Sequence, residues 1–186
     1  VASCNQCRFA LIKAVLSFAL SSQQCPLVYR FHQYVDSWVA AWALQAADQR
    51  ALFKVMADVL AVMSNAAAAD AGAAPSSSAV AAAALTMSFR NKYLATFAGS
   101  ADALTAEYYA VAMDAAVQAV HSAPSSFRTR TELQHCLAAT STRGASSKEA
   151  TELASLEQLL NTICMGSLVD YTAFCAKNAT LLAARG

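Results

Sequence analysis

Residues 51–65 read ALFKVMADVLAVMSN, and this stretch decides the fold. Large apolar side chains recur in it at steps of three and four residues: Leu52, Val55, Val59, Leu60 and Met63. That spacing places them on one face of an α-helix, where they would face a core. We predict that helical structure extends over the longer region Leu27 to Asn65, with Asp48 as its point of division.

Toward the N-terminus, the segment Asn5 to Ser22 is apolar nearly all round. One stripe at helical spacing holds Phe9, Ile12, Leu16 and Leu20, and a second stripe holds Leu11, Val15 and Phe18. A helix with apolar side chains on most of its circumference is buried on most sides or covered by a partner subunit. Residues 1–26 therefore form a Cys-rich helical segment that ends at Pro26.

Toward the C-terminus, two polar low-complexity stretches, 66–78 and 140–147, are predicted to be loops. Helices are expected at 79–98, 103–122 and 131–139, followed by a long C-terminal helix within 148–186 that docks on the bundle and has Gly166 as its point of kinking. About six helices in a single domain, 1–186, result.

The composition supports an all-α fold. The chain has 45 alanines but only 5 glycines and 3 prolines, and Ala is the strongest helix former whereas Gly and Pro break helices. Alternation of apolar and polar residues with a period of two, which is typical of strands, is absent. Only 13% of the 186 residues are charged, against roughly 25% in ordinary soluble domains. The chain is therefore rich in surface that must be buried.

Charge and hydrophobic length exclude two classes of partner. The 13 basic and 12 acidic residues leave a net charge of +1, which gives no general attraction to nucleic acid. The longest apolar run, Phe9 to Leu20, is interrupted by Lys13. Its twelve residues would rise only about 18 Å as a helix, against a hydrocarbon core of about 30 Å. We therefore predict no membrane span.

The cysteines predict an extracellular protein. They are even in number and cluster toward the two ends of the chain: Cys4, Cys7, Cys25, Cys136, Cys164 and Cys175. An even set in a secreted chain normally forms disulfides, so the expected fold is an all-α, disulfide-stapled bundle of unknown connectivity. The start at Val1 resembles the product of signal-peptide cleavage. Asn178, in the sequence Asn-Ala-Thr, is a candidate N-glycosylation site.

Catalytic, metal and cofactor sites are not predicted. Glu132 and His135 have the Glu-x-x-His spacing of di-iron bundles, but those sites need two such pairs. No Gly-x-Ser-x-Gly motif occurs, and the three histidines are scattered. Zinc at Cys4 and Cys7 would need a second close pair of ligands. We therefore expect that the protein is not an enzyme and that it holds no cofactor.

One aromatic cluster and one basic stretch remain as surface features. Five aromatic residues fall within fourteen positions: Tyr29, Phe31, Tyr34, Trp38 and Trp42. They are either a core cluster with an exposed edge or a surface for a ligand or partner. The basic stretch, Arg128, Arg130, Arg143 and Lys148, is expected to be solvated.

Five consecutive pieces between Tyr34 and Thr140 resemble the helical terminal domains and helical repeats of spider silk proteins. The pieces are YVDSWVAAWALQAAD, ALFKVMADVLAVMSN, AVAAAALTMSFRNKYLATFAG, SADALTAEYYAVAMDAAVQAVHSA and PSSFRTRTELQHCLAA. The resemblance implies a secreted five-helix unit that acts by self-association in fibre assembly. The six cysteines and the N-terminal segment depart from that pattern, and no pH-sensing residue of the silk domains is carried over.

These observations predict a secreted structural protein that assembles through helix–helix contacts as a homo-oligomer or hetero-oligomer. The surplus of apolar surface over charge is the physical reason, because some of that surface is buried only between chains. The alternative is a carrier or storage protein that binds an apolar small molecule, such as a lipid, pigment or pheromone, inside the bundle.

Overall fold

A computed structural model of the chain describes residues 2–69, 77–98, 100, 104–121, 127–140 and 148–179. These residues form nine α-helices and one 3-10 helix, without a strand, so the predicted all-α helical class is confirmed. The chain divides into two compact units, Val1–Thr96 and Phe97–Gly186. The single domain expected from chain length stays a prediction, and each unit is described by itself.

The first unit contains five α-helices and the 3-10 helix: α1 (Ala2–Ser21), α2 (Cys25–Val28), the 3-10 helix (Tyr29–Gln33), α3 (Val35–Ala41), α4 (Ala46–Ala69) and α5 (Ser77–Ala95). The helical region predicted from Leu27 to Asn65, with a division at Asp48, is several helices, and the break before α4 lies earlier, at residues 42–45. Asp48 lies in the first turn of α4, where a negative charge interacts favourably with the helix dipole. The predicted loop at 66–78 is helical at both ends, and residues 70–76 lie outside the described part.

Two helices of this unit are followed by a left-handed residue that is not glycine. Gln23, after α1, and Ala43, after α3, have φ of 57° and 49°. In each case the next residue closes the helix end, since Gln24 N–H donates to the Ala19 carbonyl (2.7 Å) and Leu44 N–H donates to the Val39 carbonyl (3.2 Å). This is the hydrogen-bond pattern of a Schellman ending, whose left-handed position is usually glycine. The Ala43 ending therefore carried no sequence signal.

The core of the first unit lies where α4 contacts α5 and α1. The apolar stripe of residues 51–65 forms its centre, because Leu52, Val59 and Leu60 are fully buried. Val55 and Met63, at the edges of the stripe, are half-buried. The facing helices contribute the buried side chains Phe9, Leu16, Met87, Phe89, Tyr93 and Leu94. The helical period of the sequence thus predicted the core-facing side of α4.

Two polar contacts hold the ends of the helices in this unit. Arg50, near the start of α4, donates from Nε to Thr96 Oγ1 and from Nη2 to the Thr96 carbonyl, both at 3.0 Å. A cation at this position interacts favourably with the C-terminal end of α5. Lys92 Nζ lies 2.6 Å from Asp36 Oδ2, which connects α5 to α3.

The second unit contains α6 (Ala106–His121), α7 (Phe127–Ala138), α8 (Lys148–Met165) and α9 (Leu168–Lys177). Its core combines small side chains of α6 with leucines of α7 and α8: Ala112, Ala115, Ala116, Ala119, Leu133, Leu137, Leu153, Leu156, Leu159 and Leu160. Alanine on α6 allows neighbouring helices to approach closely.

The expected long C-terminal helix is two helices, and the chain breaks at the glycine where a kink was expected. A Cβ atom at Gly166 would lie 2.6 Å from the Thr162 carbonyl oxygen, so only glycine fits this turn without a backbone shift. The next helix starts with a capping box, in which the Ser167 hydroxyl accepts from Asp170 N–H and the Asp170 carboxylate accepts from Ser167 N–H. The same carboxylate contacts lower the pKa of Asp170. The helix break is therefore specified locally.

One residue of the predicted basic stretch, Arg130, is buried. It was expected to be solvated, but only 8% of it is exposed, whereas Arg128 and Lys148 are exposed; Arg143 lies outside the described residues. Arg130 Nε donates to the Ala119 carbonyl in the last turn of α6 at 2.8 Å. A buried cation there meets carbonyl groups that the helix itself leaves unpaired.

We expect the variant Arg130→Ala to lower the free energy of unfolding by about 1.5–3 kcal/mol, the range for a hydrogen bond to a charged group. The physical reason is that the Ala119 carbonyl loses its donor in a buried place. Chemical denaturation followed by circular dichroism measures the change.

The matched control is Arg128→Ala. Arg128 is two residues away on α7 and forms an exposed ion pair with Glu132, at 3.0 Å. Its loss should cost at most about 0.5 kcal/mol. Equal losses in the two variants would contradict the role assigned to Arg130.

Candidate functional site

Four of the five aromatic residues singled out in the sequence form a row along α3. The rings of Tyr34 and Trp38 stack with centroids 6.0 Å apart, and those of Trp38 and Trp42 stack at 5.5 Å with an interplanar angle of 5°. Phe31 meets Trp38 edge-on at 5.7 Å. Tyr29 does not join this row, because its ring pairs with His32. We call Phe31, Tyr34, Trp38 and Trp42 the aromatic row.

The aromatic row is partly open to solvent. Tyr34 is 52% exposed, while Phe31, Trp38 and Trp42 are half-buried. The spacing of four residues from Tyr34 to Trp38 to Trp42 places the rings above one another on one side of α3. Such a partly exposed row of stacked rings is a candidate surface for an apolar ligand or a partner.

The outward face of α1 is the second exposed apolar surface. Five residues at alternating steps of three and four follow this face: Cys4, Cys7, Leu11, Ala14 and Phe18. We call these five residues the outer stripe. All are exposed, with Leu11 at 64% and Phe18 at 70%. The first stripe predicted for this helix faces inward instead, because Phe9 and Leu16 are buried.

The disulfide staple expected from the cysteines is not found, since no disulfide joins any of the six cysteines. The position of each thiol gives the reason. Cys4 and Cys7 lie on the exposed face of α1, whereas Cys25 is buried. The remaining three, on α7, α8 and α9, are half-buried. Burial raises the pKa of the Cys25 thiol and of the Cys136 thiol, which disfavours their reactive thiolate forms.

A third exposed apolar surface lies on the last hairpin, in the second unit. Four side chains around the Gly166 turn are exposed: Met165, Leu168, Val169 and Tyr171. Of the ten residues of α9, only Phe174 is buried. Most of the other side chains of this helix are exposed.

The second unit also holds a small pocket that sequence analysis missed, lined mostly by leucine and alanine side chains together with a few polar groups. The Tyr108 hydroxyl hydrogen-bonds to Thr140 Oγ1, and Glu157 lines the same pocket, whose volume is about 30 Å³. That volume suits about one water molecule. Burial raises the pKa of Tyr108 and of Glu157. These residues belong to α6, the end of α7 and α8, so no sequence spacing connects them.

The raised pKa of Glu157 predicts a pH-dependent stability. Below the pKa of this carboxyl in the unfolded chain, about 4.3, both states hold the proton. As pH rises, the unfolded chain ionises first, so the folded state loses stability until pH passes the folded-state pKa. We expect Glu157→Gln, which stays neutral, to gain in melting temperature relative to the natural protein as pH is raised from about 4 to about 7.

Glu149→Gln is the matched control for this measurement. Glu149 is an exposed residue in the first turn of the same helix, where an acid favours the dipole. Calorimetry across the pH range should show no comparable gain for this variant. A constant difference between Glu157→Gln and the natural protein at all pH values would contradict the burial argument.

Three further predictions concern the glycosylation sequon at Asn178, metal ligands and membrane spans. Asn178 lies just after α9, and its side-chain amide donates to the Phe174 carbonyl at 3.0 Å; Thr180 of the sequon lies outside the described residues. Within the described ranges, no group of three or more His, Cys, Asp or Glu residues could hold a metal ion. Nor does any helix there have the length and apolar character needed to cross a membrane.

Comparison with known proteins gives no relative. No family model, no curated protein and no solved structure matches this chain. Its function is therefore inferred from its own residues.

Proposed function

We propose that the chain is a secreted structural protein that assembles through helix–helix contacts with copies of itself or with sister subunits. The outer stripe of α1 is the observation that carries the proposal. It presents Leu11 and Phe18, at 64% and 70% exposure, on a helix whose opposite face is already buried in the first unit.

Burial of Leu11 and Phe18 between chains is the energetic reason for association. Full burial of a Leu or Phe side chain contributes about 1.5–3 kcal/mol. We take the alignment of these exposed apolar side chains on one helix face as support for an interaction site. Arg8 and Lys13 are exposed on the same helix but lie outside the outer stripe, so pairing through the stripe buries no charge. Association thus gains hydrophobic burial without a desolvation penalty for ions.

The exposed side of α9 adds a second surface, in the other unit. Leu168 and Val169 are 76% and 74% exposed. An exposed apolar surface on each of the two units supports contact with more than one neighbour in an assembly. The resemblance between residues 34–140 and the helical domains of spider silk proteins supports the same class of function, because those domains work by self-association.

We expect the reduced protein to associate as its concentration is raised from about 10 μM to about 1 mM, a range that detects weak contacts. The double variant Leu11→Glu with Phe18→Glu should associate less than the natural protein, since it places charges in the α1 contact and leaves only the exposed side of α9 for association. Sedimentation velocity measures both, and circular dichroism checks that the helices persist.

The matched control places the same charges on other exposed apolar residues of the first unit, Leu27→Glu with Val80→Glu. Leu27 and Val80 are 76% and 56% exposed and lie outside the outer stripe. This variant should associate like the natural protein. A natural protein that is monomeric at every concentration would overturn the proposed function, and equal losses in both double variants would show that the surface was wrongly chosen.

The aromatic row favours one second candidate, a carrier of an apolar small molecule. Its rings are grouped and partly exposed, as in sites that hold apolar ligands. The pocket beside Tyr108 does not serve this role, because its volume of about 30 Å³ is far below the roughly 300 Å³ of a ligand site.

Tryptophan fluorescence tests the carrier directly. The chain contains 2 tryptophans, and both belong to the aromatic row, so their emission reports on this place alone. A carrier should show a saturable change on titration with oleate, weakened in Tyr34→Ala. Tyr171→Ala, which removes an exposed tyrosine of the second unit, is the control. Titration without saturation would exclude oleate binding at the row and favour assembly.

A further inference from the structure

Two cysteines that the proposed function does not use lie one helical turn apart on α1. Cys4 and Cys7 are both exposed. Side chains three residues apart on an α-helix are neighbours, with Cβ atoms about 5–6 Å apart. The helix therefore presents two thiols side by side to solvent.

This spacing does not suit a disulfide between the two thiols. A disulfide needs Cβ atoms about 3.5–4.5 Å apart, which is closer than a regular helical turn holds them. Residues Ala2–Ser21 form one continuous α-helix, so closing the bond would distort its first turns. The two thiols are therefore neighbours that do not bond to each other within the helix as it stands.

A metal ion between the two sulfur atoms fits the wider gap. Metal–sulfur bonds are about 2.3 Å long in zinc sites, so an ion of similar size in line between two sulfurs holds them about 4.6 Å apart. Cβ atoms about 5–6 Å apart allow that separation without a change in the backbone. The pair of thiols thus has the geometry of a two-ligand metal site.

The number of ligands decides which metal fits. Within the described part of the chain, Cys4 and Cys7 belong to no group of three or more His, Cys, Asp or Glu residues that could share an ion. The Asp48 carboxylate, which approaches this helix, accepts a hydrogen bond from Gln6 Nε2 at 3.3 Å. Structural zinc takes four ligands. Two thiolates alone suit Cu(I), a soft ion that prefers sulfur and forms linear two-coordinate complexes.

Charge at the start of α1 favours the same ion. Cu(I) with two thiolates carries a net negative charge, whereas a divalent ion with two thiolates is neutral. The first turn of α1 contains no acidic residue, and the partial positive charge of a helix N-terminus stabilises an anion. Arg8 is exposed and, four residues after Cys4, is its neighbour on the helix surface. Both features stabilise an anionic complex.

The other cysteines form no equivalent pair. Cys25 is buried. Cys136, Cys164 and Cys175 are half-buried and belong to three different helices. Only Cys4 and Cys7, among the six, are exposed neighbours on one helix.

We propose that Cys4 and Cys7 bind one Cu(I) ion, held in line between their two sulfur atoms. Binding involves no oxidation, because copper stays in its monovalent state. One Cu(I) ion and two thiols give one anionic two-coordinate complex and release two protons to solvent. This role goes beyond the proposed function, since it requires one chain only.

The experiment titrates the full, reduced chain with Cu(I), supplied as its acetonitrile complex in the absence of oxygen. A competing chromophoric chelator, bathocuproine disulfonate, reports the amount bound and the affinity. The natural protein should bind one equivalent tightly. Cys4→Ser and Cys7→Ser should each lower the affinity of that site by more than about 100-fold, because even changes beyond the direct ligands cost 10- to 100-fold.

The matched control is the double variant Cys164→Ser with Cys175→Ser. It removes two thiols that lie on different helices, α8 and α9, and should keep the tight site. X-ray absorption at the copper edge should show two sulfur ligands in the natural protein. Circular dichroism checks that every variant keeps its helices, as expected at Cys4 and Cys7 because both side chains are exposed.

Three results would overturn the inference. One is a double variant, Cys4→Ser with Cys7→Ser, that binds Cu(I) as tightly as the natural protein. Another is a copper centre with three or more ligands. The third is a natural protein from which Zn(II) displaces the copper at equal concentration. None of these results bears on the association of chains, which the sedimentation experiment measures separately.

Discussion

Helix α1 has apolar side chains on two opposite faces, and the first unit buries only one of them. Phe9 and Leu16 point into the core beside α4, which leaves the outer stripe in water. The same imbalance runs through the chain, since only 13% of its residues are charged. A surface helix of a soluble protein usually carries charged and polar residues on the face opposite the core. Here the sequence retains a second apolar face, and the exposure of the outer stripe follows from it.

Much of the fold could be predicted because helical periodicity is a local signal. The stripe from Leu52 to Met63 identified α4 and its buried side, and Gly166 marked the break between α8 and α9. The end of α3, before Ala43, could not be predicted. A left-handed residue after a helix is usually glycine, and alanine is instead a strong helix former. The helical region predicted for residues 27–65 was expected to divide at Asp48, and for that reason the earlier break at the Ala43 ending was missed.

The candidate sites also differ in whether sequence spacing could predict them. The aromatic row was predictable in large part because Tyr34, Trp38 and Trp42 share one helical face through their spacing. Arg130 and the pocket at Tyr108 depend on side chains from separate helices, which meet only once the helices pack. The disulfide staple failed for a related reason: an even number of cysteines says nothing about which faces carry them, and Cys4 and Cys7 lie on the opposite side of α1 from the core.

Helix α9 contributes few buried side chains to the second unit, and this affects how easily the helix opens locally. A helix whose only buried side chain is Phe174 gives up little apolar contact when it detaches, whereas α4 would expose several core side chains at once. Local opening free energies follow that difference. We therefore expect the amide hydrogens of α9 to exchange with solvent before those of α4, through a local opening in which the last helix detaches while α4 stays folded.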